Sequence, residues 1–187
     1  IPVSCWEYSP GDGFVQRPDL NKHTLFTNTA VNEDLNTKAV RAVSLKGKAV
    51  YIGAYCHNDH QMDPFGVYVA GSLKKGAVDV RGVDLPAGSK PWDLLIYDGA
   101  VYALLSKQMG DQTVVLVMRS SDLKHWREVM QFRSATFARS FAILNGDFYF
   151  GLGCEIKDPF KWTQDELKPE TGTILRVDGR HARKDRG

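Results

Sequence analysis

A unit of two short apolar strands joined by a Gly-containing turn occurs three times, and it constrains the fold more than any other feature. The copies read RAVSLKGKAVYIGA from Arg41, WDLLIYDGAVYALL from Trp92 and RSFAILNGDFYFGL from Arg139. In each, a Tyr (Tyr51, Tyr102, Tyr149) stands ten residues after the first residue quoted. The copies recur about every 50 residues, a spacing typical of propeller blades. Their turns, Lys-Gly, Asp-Gly and Asn-Gly, accept positive φ and so close the tight hairpins that a twisted antiparallel sheet needs.

The middle unit can be followed furthest. Its first strand spans 92–97 and its second 100–106. A polar loop, KQMGDQ, leads to a third strand, TVVLVMRS, and the turn SDLKH to a fourth, WREVMQF. That is a four-stranded antiparallel meander with blade-like strand lengths. The first unit matches it with FGVYVAG and AVDVRGVDL as third and fourth strands. The third unit has a long loop from Glu155 to Glu170, then GTILRV, then a polar tail. The expected architecture is therefore all-β, a β-propeller or partial propeller built of four-stranded antiparallel blades over one domain, 1–187. The blades fall at about 39–88, 89–135 and 136–178, with 179–187 as a tail.

Because the last blade lacks its outer strand, the segment 1–38, which contains HTLFTNTAV, is expected to complete a blade and cover that edge. Three blades still fall below the four usually needed to close a ring. Three completions stay open: most of a fourth blade in 1–38, a missing segment of a longer protein, or a homodimer. The start at Ile1 without Met points to a processed or truncated product, with a secreted or periplasmic location favoured.

The formal charge is +2, from 24 basic and 22 acidic residues. They are well mixed outside the tail, so no basic stripe of a nucleic-acid binder is present. No apolar run has the length of a membrane span. Cys5, Cys56 and Cys154 form no C-x-x-C pair, which implies neither a zinc site nor a disulfide framework, and leaves buried thiols or one disulfide. P-loop, G-x-G-x-x-G, G-x-S-x-G and H-E-x-x-H signatures are all missing, and no cofactor or metal is expected. His57 and His60, with Asp59 and Asp63, suit a divalent ion by type, but their spacing reads as a polar loop.

Between the third and fourth strands of the middle unit stands Ser120-Ser121-Asp122-Leu123-Lys124-His125-Trp126. Asp122 can accept backbone N–H groups of its own turn, and Trp126 can cover it. This stretch resembles the S-x-D-x-x-x-W element of two groups of propeller proteins: sialidases with Asp-box repeats, and five-bladed glycoside hydrolases of the arabinanase and fructosidase type. The Gly and Thr of a strict Asp-box are missing, which leaves the second group the closer. The resemblance covers about 39–177 and implies a propeller fold and a glycan ligand. In the sialidases, arginines at first-strand starts hold the substrate carboxylate, a role that would fall to Arg41 and Arg139.

In a meander blade the innermost strand starts at the channel rim. First-strand starts and second-to-third loops would then share one face, with the Asp122 turn on the other. That face would carry Arg41, Trp92, Asp93 and Arg139. Two guanidiniums there form a fork for a carboxylate or phosphate, and Trp92 can stack on a sugar. The plainer alternative is that both arginines pair with carboxylates inside the channel. Hydrolysis of a glycosidic bond needs two carboxylates. Asp93 and Glu155, each beside an apolar strand, are the catalytic candidates. His57 and, in the long loop, Trp162 complete the substrate-binding set. The function expected is that of a propeller binding an acidic or furanosidic glycan, with hydrolysis as its reaction; the alternative is a non-catalytic lectin-like or protein-interaction module.

Overall fold

Each of the three Gly turns closes a two-residue hairpin, and each does so with two successive residues at positive φ. These pairs are Lys46 and Gly47 (51° and 75°), Asp98 and Gly99 (46° and 65°), and Asn145 and Gly146 (52° and 86°). This is the primed turn geometry whose twist matches that of the flanking strands. The structure is a computed structural model and describes residues 6–9, 11–16, 41–56, 62–71, 81–153 and 170–179. The chain divides into two units, Ile1–Val83 and Asp84–Gly187.

The first unit holds a two-stranded sheet, β1 (Trp6–Ser9) with β2 (Gly13–Gln16), and a four-stranded sheet. The latter runs in order β3 (Arg41–Leu45), β4 (Lys48–Cys56), β5 (Met62–Ala70) and β6 (Arg81–Gly82). Its centre is the buried run Ala49 to Ile52 facing Val67 to Ala70, with Tyr51 stacked on Tyr68 at 5.4 Å.

The second unit holds two sheets. One is the meander β7 (Lys90–Tyr97), β8 (Ala100–Met109), β9 (Gln112–Ser120) and β10 (Arg127–Ser134). The other is β11 (Ala138–Leu144), β12 (Asp147–Leu152) and β13 (Ile174–Val177). Every pairing is antiparallel. Alternate residues of the central strands meet between the sheets: Ala100, Tyr102 and Leu104 of β8, Val115 and Val117 of β9, and Phe148, Phe150 and Leu152 of β12. Val101, Ala103 and Leu105, on the opposite face of β8, are also buried. That explains why β8 reads as a continuous apolar run rather than an alternating one.

One difference from the sequence reading has a physical cause. The six-residue loop KQMGDQ shrinks to a two-residue turn, because β8 runs on to Met109 and β9 begins at Gln112. Polar residues continue a ladder when they can bond across it, as Thr113 Oγ1 does to Gln108 Oε1 at 3.2 Å. β1 and β2 pair with each other and with no other described strand, and β13 is the outer strand of a three-stranded sheet with Ile174 75% exposed. HTLFTNTAV lies outside the described residues. The description that stands is therefore all-β with antiparallel four-stranded meanders; closure into a propeller ring is not seen among the described residues.

Asp122 accepts the backbone groups of its own turn, as its sequence predicts. Asp122 Oδ1 accepts the backbone N–H groups of Lys124 and His125, each at 2.9 Å, and the Ser120 hydroxyl at 3.1 Å. A carboxylate can only accept, so the 2.7 Å contact to Oδ2 is donated by His125 Nδ1–H. The His125 N–H, then its ring, then the Lys124 N–H hold this carboxyl well below the usual range. Trp126 is half-buried, and its Nε1 has no hydrogen-bond partner among the described residues. Folding lowers this pKa, so the stability it contributes is complete above the unfolded Asp value of about 4 and lost as pH falls below it. The stability difference between the wild type and Asp122→Asn, measured by urea unfolding, should therefore shrink steadily from about pH 5 to about pH 2. A difference independent of pH across that window would refute this role.

Candidate functional site

Strand pairing at the starts of β7 and β11 contains the same irregularity twice. Pro91 pairs Leu105 and Asp93 pairs Leu104, so Trp92 is an extra residue on β7; Ala138 pairs Leu152 and Ser140 pairs Gly151, so Arg139 is an extra residue on β11. Such bulges redirect a side chain and gather near functional sites. Trp92 and Arg139 thus occupy equivalent places on two strands packed in one unit.

Around them lies a row of cations and rings. The Trp92 indole stacks on Phe137 with centroids 4.1 Å apart and planes at 13°, and its Nε1 donates to Ser106 Oγ at 2.5 Å. With Phe137 against one face, the Lys90 ammonium, 4.5 Å from the ring centroid, has only the other. Arg139 is exposed and has no ion-pair partner among the described residues. Its stem lies along Gly153: a Cβ there would sit 3.4 Å from Arg139 Cβ and 3.8 Å from Phe137 Cε2. Phe137 is held in turn by its connection, 134–137. The Glu170 carboxylate accepts the Ser134 hydroxyl at 2.7 Å and the Ala135 N–H at 3.1 Å, which hold its pKa below the ordinary value. Thr136 Oγ1 donates to the Gly153 carbonyl, and Gly153 N–H donates to the Phe137 carbonyl at 2.9 Å.

Asp93 is next in chain but differently placed. It is 4% exposed; Oδ1 accepts the Leu94 N–H at 2.9 Å and Oδ2 the Phe141 N–H at 3.3 Å. Its carboxylate therefore ties β7 to the backbone edge of β11, and spans the two sheets of the unit.

Arg41 opens β3, is exposed, and pairs Ile52. Counted from the turns, that pairing sets Arg41 level with Asp93, opposite Leu104, and with Ser140, opposite Gly151. Arg41 is therefore one residue out of step with Trp92 and Arg139, contrary to the equivalence expected from the repeat. The offset is already present in the sequence when it is counted from the turns: Arg41 stands five residues before Lys46, whereas Trp92 and Arg139 stand six before Asp98 and Asn145. His57, Glu155 and Trp162 lie outside the described residues.

Sequence reasoning overlooked Lys90, Ser106, Phe137 and Glu170. A signal for two of them exists: Lys90 and Trp92 stand two apart on one strand, and Phe137 and Arg139 stand two apart at the start of the next.

No known protein family matches the chain, and no curated protein does. Among solved structures it is similar to a Bombyx mori GH32 beta-fructofuranosidase, also solved as a mutant in complex with sucrose. The identity is 21% with a TM-score of 0.37, over 58% of this chain and 27% of that one. It is also similar to a sucrose-6-phosphate hydrolase from Lactobacillus gasseri, at 16% identity and a TM-score of 0.39, over 79% of this chain and 36% of that one. The chain thus spans about a third or less of these structures. With identities under 25% and TM-scores under 0.5, this likeness assigns no family and carries no argument about the site.

Proposed function

We propose that the second unit binds an acidic carbohydrate along the row formed by Lys90, Trp92, Phe137 and Arg139. The observation that carries this reading is the pair of equivalent bulges at Trp92 and Arg139, on two strands packed in one unit. An exposed guanidinium without an ion-pair partner offers a bidentate fork to a carboxylate. The Trp92 face under Lys90 becomes open to a sugar when the flexible lysine swings aside, giving up its other interactions together with a cation–π contact of about 0.5–1 kcal/mol. The displaced ammonium then becomes a second partner for the sugar acid.

Binding of galacturonate oligomers, measured by calorimetry beside neutral galactose oligomers of equal length, tests this. The acidic series should bind saturably and more tightly, and Arg139→Ala should weaken it about tenfold or more, the value of a charge-assisted hydrogen bond. Equal affinity for the neutral oligomers, or an unchanged Arg139→Ala variant, would remove the row from the site.

Hydrolysis would further require a carboxyl partner for Asp93, and Glu155 is the candidate. In the same samples, reducing ends released by the wild type and lost in Glu155→Gln would extend the function from binding to cleavage. Absence of release in the wild type would leave a lectin-like module.

A further inference from the structure

At the opposite end of the same two sheets, the hairpin turns and the Asp122 turn surround a second cavity of about 230 Å³. It is lined by Tyr97 at the end of β7, Tyr102 on β8, Arg119 and Arg127 flanking the Asp122 turn, and Ile143 and Phe148 beside the Gly146 turn. β7 runs from Lys90 to Tyr97, and the five residue steps from Trp92 to the lining Tyr97 cover about 16 Å at a strand rise of about 3.3 Å per residue. The two sites are therefore distinct.

One wall is aromatic. Tyr97 meets Tyr102 edge-on at 6.4 Å and 65°, and Tyr102 meets Phe148 edge-on at 5.9 Å and 62°. The other is cationic. Arg119 is oriented by Tyr102, whose hydroxyl accepts its Nε–H at 3.0 Å and whose ring centroid lies 5.7 Å from its guanidinium carbon. That bond uses Nε and leaves both Nη groups for a ligand. Arg127 is exposed and has no ion-pair partner among the described residues. Two guanidiniums face one lining carboxylate, the exposed Asp98 of the hairpin turn. The neighbouring Asp147 is already matched by Arg176, whose Nη2 donates to it at 2.6 Å. Gly179 closes the cavity floor by packing against the Gly146 backbone so closely that a Cβ would lie 2.8 Å from its carbonyl carbon.

We propose that this cavity binds a phosphate monoester carried on a single aromatic ring. Arginine forks suit phosphate oxygens, the tyrosine and phenylalanine edges suit a ring face, and the volume lies below the roughly 300–1,000 Å³ of ordinary ligand pockets. It is sized for one substituted ring.

Phenyl phosphate is the probe. It should bind the wild-type chain saturably at one site by calorimetry, and Arg127→Ala should weaken it about tenfold or more. Arg127 is exposed, and an unchanged melting temperature would show that the variant folds; Arg127→Lys, which keeps the charge but loses the fork, should fall between the two. Inorganic phosphate binding as tightly as phenyl phosphate would overturn the role of the aromatic wall. Benzoate binding more tightly would overturn the assignment to phosphate, and affinity unaffected by Arg127→Ala would overturn the site. Displacement of phenyl phosphate by galacturonate oligomers would overturn its independence from the Trp92 row, whereas failure of those oligomers to bind anywhere leaves this result untouched.

Discussion

Phe150→Ala should destabilise the second unit by about 3–5 kcal/mol, the usual cost of deleting a buried phenyl ring. Phe150 is 0% exposed and sits on the middle strand of its sheet. Its ring lies edge-on to Phe132 of β10 at 4.9 Å and parallel to Phe141 and Phe148 at 6.2 Å each. It therefore touches both sheets, and neither can close over the void without moving the other. Part of the cost is the transfer of the ring and part is the cavity left in a rigid β-sheet interior, where collapse is limited. Urea unfolding followed by near-ultraviolet circular dichroism would measure it. A loss below about 1 kcal/mol would mean that the two sheets are not held by this cluster. Since Phe148 shares the cluster and also lines the small cavity, the variant should lose phenyl phosphate binding as well.

Asp93→Ala should destabilise the same unit by about 2–4 kcal/mol, because it strands buried backbone donors whose desolvation costs about 1–3 kcal/mol each. The Leu94 and Phe141 amides lose their acceptor together, and water has poor access to a residue 4% exposed. Asp93→Asn keeps one acceptor oxygen and should cost less than half as much. Hydrogen exchange at the Phe141 amide separates this mechanism from simple loss of packing: protection there should fall in Asp93→Ala by more than at Phe148 or Phe150. Equal protection in both proteins would mean that the carboxylate does not hold β11. The result also bears on glycan cleavage, since an Asp committed to two amides must release one before it can serve a substrate.

Local chemistry made much of the fold legible. Lys46-Gly47, Asp98-Gly99 and Asn145-Gly146 announce hairpins because few residue pairs tolerate two positive φ values in succession. The buried runs of β8 and β9 announce central strands. Asp122 announces its own turn, since an acceptor two and three residues ahead of free N–H groups closes it locally. The polarity of KQMGDQ misled for a related reason: polar residues mark a loop only when no partner strand stands opposite them, and the strand opposite is itself part of the hairpin.

The candidate sites were legible in part. Trp92, Asp93 and Arg139 could be singled out from their repeat positions, but their different fates could not. The bulge at Arg139 leaves its side chain exposed and the bulge at Trp92 leaves the indole partly buried against Phe137, while Asp93, next in chain to Trp92, is buried against a strand 48 positions away. The cavity beside Arg119 and Arg127 left no local trace, because its walls come from six strands and meet only when the two sheets pack.

Sequence alone determined the hairpins, their turns and the all-β character of this protein, since each depends on residues within a few positions of one another. Only the tertiary structure decided which side chains reach solvent at the strand starts. A strand presents alternate faces with a period of two, so a single extra residue reverses the face of everything beyond it. Whether that residue is accommodated is settled by the opposing strand and the sheet packed against it.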